Sequence, residues 1–80
     1  MSFPRPLKRS LTLQGHRTSV SLEEPFWQAF QQIAAERGIS VNALAVELDA
    51  RRQPPASLAS AMRLHVLAWA LARAKDPSAD

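Results

Sequence analysis

Apolar and polar residues along this 80-residue chain change period partway. In "LTLQGHRTSVSL", residues 11–22, they alternate one by one on both sides of Gly15. A period of two belongs to a strand with one buried face. The pattern suits one strand with a break or a short hairpin around "QGH", and residues 17–22 are its firm part. Val20 and Leu22 then share an inward face, with Thr18 at its edge. Arg17, Ser19 and Ser21 point the other way.

From Phe26 the period becomes helical. Phe26, Phe30, Ile33 and Ala34 follow helical spacing, with Trp27 beside them. Ser21 and Glu24 have the spacing of a capping box, Glu23 and Glu24 suit the positive helix start, and Pro25 is tolerated in a first turn. Gly38 ends this helix. Ser40 caps a second, with Val41, Leu44, Ala45 and Leu48 as its stripe; it stops near Arg52, before Pro54 and Pro55. Ser57 opens a third, "SLASAMRLHVLAWALARAK", with Asp76-Pro77 as its stop.

A lone strand is not a stable sheet. The simplest remedy is a homodimer whose two strands pair antiparallel across a two-fold axis. The shared dimer core would hold Val20, Leu22, Phe26, Phe30, Ile33, Leu44 and Leu48. The expected fold class is therefore mostly α: one N-terminal strand, two core helices over 17–53 and an additional C-terminal helix over 57–75. Residues 1–16 read as a flexible basic arm, with room for a short strand at 11–13.

Charge changes the picture at the N-terminal end. Before Glu23 there are four basic residues (Arg5, Lys8, Arg9, Arg17) and no acidic one; beyond, six basic residues face seven acidic ones. Such an arm is drawn to a polyanion. The start has no apolar stretch after its basic residues, so no signal peptide is expected, and "VLAWALA" is far short of a membrane span. The absence of cysteine suits a reducing cytoplasm and excludes a thiolate metal site. His16 and His65 lack a ligand constellation, so neither metal nor cofactor is expected. Nor is an enzyme: there is no Tyr, no Gly-rich phosphate loop and no HExxH, and Glu47 and Asp49, two apart on a helix, point apart.

Strand, helix, a G-x-S-x-N turn (Gly38-Ile39-Ser40-Val41-Asn42) and second helix resemble the Arc/MetJ-like ribbon-helix-helix DNA-binding family. "IAAERGISVNAL" carries the resemblance through the core. "KRSLTLQGHRTSVSLEEPFW" is similar to a bacterial branch known only as ribbon-helix-helix domain proteins. The resemblance implies paired strands in the major groove of double-stranded DNA. Arg17, Ser19 and Ser21 would contact bases. Ser40, Val41 and Asn42, at a helix start, would contact phosphate, as would Arg5, Lys8 and Arg9 of the arm. The implied protein is a homodimeric transcriptional repressor, cytoplasmic and nucleoid-associated, able to form higher oligomers on DNA. Two small serines leave Arg17 as the one strong base reader. The alternative is a dimeric protein-interaction module whose partner binds residues 57–75, with little DNA binding. Ser21 is left between two roles, helix cap and base reader.

Overall fold

The structure, a computed structural model, describes residues 3–75. Strands β1 (Leu7–Leu13) and β2 (His16–Leu22) form an antiparallel two-stranded sheet, followed by helices α1 (Glu24–Arg37), α2 (Val41–Arg51) and α3 (Leu58–Ala74). Of the two readings of "LTLQGHRTSVSL", the hairpin is the one present. The arm expected to be flexible is ordered from Leu7, and β2 finds its partner within its own chain. The Asp76-Pro77 stop lies outside the described residues.

The helix ends follow local chemistry. The helix α1 starts two residues later than a capping box on Ser21 requires. Its N-cap is Glu23, with no side-chain cap bond, and Pro25 sits in the first turn. Gly38 closes α1 at φ 69°, in the left-handed region that glycine enters without Cβ strain. The Ser40 hydroxyl accepts from the Ala43 N–H at 3.0 Å, and Ser57 caps α3 in the same way through Ser60.

Twelve apolar residues make the core, three from each part: Leu11, Val20 and Leu22 from the hairpin; Phe30, Ile33 and Ala34 from α1; Leu44, Ala45 and Leu48 from α2; Leu58, Met62 and Val66 from α3. Six of the seven residues expected in a two-chain core are buried by a single chain; Phe26 is half-buried at its margin. The reason is α3. Met62 is fully buried, and a side chain of that size contributes about 1.5–3 kcal/mol on leaving water. With α3 in place, Leu11, Val20 and Leu22 of the hairpin are buried within one chain, while Leu7 stays exposed.

Candidate nucleic-acid interface

The hairpin is set by its turn. Gln14 (φ 52°) and Gly15 (φ 84°) both take positive φ, the signature of a two-residue type I′ loop, which matches the twist of the strands it joins. The loop fixes the register from Leu13↔His16 to Leu7↔Leu22. Side chains then divide between two faces. Inward lie the pairs Leu7–Leu22, Arg9–Val20, Leu11–Thr18 and Leu13–His16. Outward lie Lys8–Ser21, Ser10–Ser19 and Thr12–Arg17, and all six residues are exposed. The outward face is thus a ladder of hydroxyls with a cation at two diagonal corners and no carboxylate.

A two-residue loop makes its flanking pair a hydrogen-bonded one, and such pairs recur at every second position. The backbone groups of the outward residues therefore point away from the ladder, along the ribbon's two outer edges. Both edges are tied to the helices. The Thr12 N–H donates to Asn42 Oδ1 at 3.1 Å, which draws the start of α2 against β1. The Ser21 carbonyl accepts from Arg63 Nη2 of α3 at 3.0 Å. Arg63 also donates to Glu23 Oε1 at 3.0 Å, and this bond holds the Glu23 carboxyl below the usual carboxylate range. Beside the outer edge of β2 runs an open groove of about 530 Å³, bounded by Thr18, Ser19, Val46, Asp49 and Leu58.

The expected site residues fall into three groups. Arg17, Ser19 and Ser21 stand side by side on the outward face, and Ser21 is a strand residue and not a helix cap. Ser40, Val41 and Asn42 form the N-terminal turn of α2, and Asn42 adjoins the ribbon through Thr12. Lys8 joins the outward face, and Arg5 is exposed just before β1. Arg9 is the correction. It faces inward, with its side chain 13 % exposed, donating to the Leu22 carbonyl at 3.3 Å and to Glu24 Oε1 at 2.7 Å, with its guanidinium 5.6 Å from the Trp27 ring centre. Its charge is engaged within the fold and is not available to a phosphate. Hydrogen bonds from Gln28 and then Arg9 hold the Glu24 carboxyl below its ordinary range. Ser10 and Thr12 were missed; the shared parity of Lys8, Ser10 and Thr12 in "LKRSLTL" was the signal for them.

A strand ahead of two helices, with the G-x-S-x-N turn between them, is the arrangement the sequence resemblance implied; the strand β1, paired with β2 in the same chain, is an addition to it. The model of the ribbon-helix-helix domain family matches residues 6–70, most of the chain. The chain belongs to the ribbon-helix-helix family. No curated protein and no solved structure matches it. Domains of this family are generally DNA-binding transcription regulators and are typically not enzymes. In this ribbon-helix-helix domain, the match takes in β1 and most of α3 as well as the shared core. Among the described residues, no helix is long and apolar enough to cross a membrane.

Proposed function

We propose that this ribbon-helix-helix protein binds double-stranded DNA by laying the outward face of β1 and β2 in the major groove, and that it represses transcription there. The observation that carries the reading is the face itself: six exposed residues, two cations, four hydroxyls and no acid on a two-stranded ribbon. A ribbon of two strands suits the groove, Arg17 can take both acceptors of a guanine, and serine can donate or accept at several bases. The N-terminal turn of α2, held beside β1 by Asn42, would meet a flanking phosphate with the backbone N–H groups around Ser40–Asn42. Lys8 and Arg5 add charge, and Arg9 does not. A gel shift on random duplex at low salt tests the reading. Retardation at micromolar protein supports it, and none at that concentration counts against it.

A second reading is favoured by α3. Leu64, Leu67 and Leu71 are 64 %, 50 % and 51 % exposed on that helix. Their spacing of three and four residues makes one apolar stripe, the kind of surface another helix covers. A homodimer joined through this stripe would carry two ribbons. Sedimentation of the native chain and of Leu67→Glu separates the cases: a dimer made monomeric by the substitution supports pairing through α3, and a native monomer excludes it.

A further inference from the structure

On the readings that the ribbon binds DNA and that chains pair through α3, we infer that two copies of α3 pair antiparallel and join two DNA-binding units, so that one assembly holds two duplexes. The helix carries two stripes. Leu58, Met62 and Val66, four residues apart, are buried in the core. On another side Ser60, Leu64, Leu67, Leu71 and Ala74 succeed one another at steps of four, three, four and three, and all five are exposed. Alternating steps of three and four make the seam of a two-stranded coiled coil. This seam runs 14 residue steps, about 21 Å of helix.

The occupant that fits the seam is a second α3. The seam holds no charge, so a partner needs none. Ala68 and Ala70 flank its middle, both exposed, and let another helix come close. The guanidiniums of Arg63 and Arg73 are held by Glu23 and Glu36 of their own chain, so neither calls for an acid across the seam. A copy brings the same spacing of leucines, as a two-fold contact requires.

Orientation follows from where the body sits. The buried residues of α3 all lie between Leu58 and Val66, and from Leu67 to Lys75 none is buried. A parallel pair would set two bodies side by side at one level. An antiparallel pair sets them at opposite ends, with Leu67 beside the partner's Leu71 and Leu64 beside the partner's Ala74. Antiparallel helix dipoles also attract where parallel ones repel.

Pairing here leaves the rest of the chain free. The seam shares no residue with the outward face of the ribbon or with the groove beside the outer edge of β2. That strand edge stays open for the second chain with which domains of this family typically bind DNA. The α3 pair is thus a separate contact between units, with a DNA face on the body at each end.

The chain has no cysteine, so an introduced thiol has no competitor. Leu64→Cys and Ala74→Cys are each checked for a native melting transition, then oxidised alone and mixed. The expected result is a disulfide between the two variants and little within either alone. Disulfides within each variant and none between them show a parallel pair and overturn the inference. Leu67→Glu should halve the sedimenting mass. An unchanged mass with no cross-link leaves the stripe to a different protein and also overturns it. A duplex fixed to beads should capture a second, labelled duplex through the native chain, and Leu67→Glu should lose this capture while still retarding random duplex. Retardation without capture by the native chain overturns the two-duplex assembly and leaves DNA binding intact. No retardation, with the mixed disulfide formed, overturns the DNA reading and leaves the α3 pair.

Discussion

Arg9 and Arg17 carry the same group to opposite faces of one hairpin. Arg17 is exposed on the outward face, so Arg17→Ala should leave the fold unchanged and weaken binding to a selected site by about 1–3 kcal/mol. A fluorescence titration reads this, and unchanged affinity would remove Arg17 from the interface. Arg9 is enclosed by the Leu22 carbonyl, Glu24 and the Trp27 ring. Arg9→Ala removes the guanidinium bonds to that carbonyl and to Glu24 and uncovers the indole, and should lower stability by about 1–3 kcal/mol in urea unfolding. The salt dependence of DNA binding should stay as it was, whereas Lys8→Ala should reduce the slope of log affinity against log salt by about 1. The outward set of β2 was legible because Val20 and Leu22 fix its parity. The inward position of Arg9 was harder to read: Leu7, Leu11 and Leu13 share its parity, but a charge among them, next to Lys8 and two prolines, resembles a solvated arm. Only the cation–aromatic contact and the carboxylate of α1, both distant in sequence, make that position favourable.

The hairpin and the first two helices are each set by one or two left-handed residues. Gly38 has open space where a Cβ would go, so the cost of Gly38→Ala is its backbone conformation, about 1–2 kcal/mol. Gln14 occupies the first position of a type I′ turn without the side chain that favours it. Gln14→Asn should raise the melting temperature, since asparagine tolerates positive φ and Asn-Gly is the preferred pair there. A lowered melting temperature would argue against this turn. Helix boundaries were legible from Gly38, Ser40, Pro54 and Ser57, because caps and breakers act within one turn. The start of α1 was not, because Ser21 satisfies the capping-box spacing and the pairing of β2 through Leu22 holds it in the strand instead. Two readings of "QGH" were open in the sequence, since a pattern of alternation is the same on a broken strand and on a hairpin.

For the whole molecule, α3 completes the core of the single chain. The sequence pointed to a second chain because a lone strand needs a partner, and β1 is one within the same chain. Burial of Leu58, Met62 and Val66 closes the core within one chain, and Met62→Ala should cost about 2–5 kcal/mol of unfolding free energy. Ion pairs across elements give the fold its acid sensitivity. Bonds from Arg37, chiefly, hold the Glu47 carboxyl below its ordinary value, and Gln32 followed by Trp69 does so for Glu36. Burial first, then the cations of Arg37 and Arg51, push His65 down, with Glu47 opposing. In each case the unfolded chain takes up protons more readily than the folded one, so stability rises with pH. It should be level above about pH 6.5, decline first as His65 is protonated on unfolding, and decline further below about 4.5 as the carboxylates follow. Melting curves at stepped pH check this, and His65→Gln should remove the first decline and keep the second.

The central claim is that the outward face of β1 and β2 is the DNA surface. Backbone amide NMR of the labelled chain, titrated with a selected duplex at low salt, tests it most directly. The predicted result is shifts concentrated at Lys8, Ser10, Thr12, Arg17, Ser19 and Ser21, with the first turn of α2. Shifts gathered on Leu64, Leu67 and Leu71 of α3, or none at saturating duplex, would contradict it.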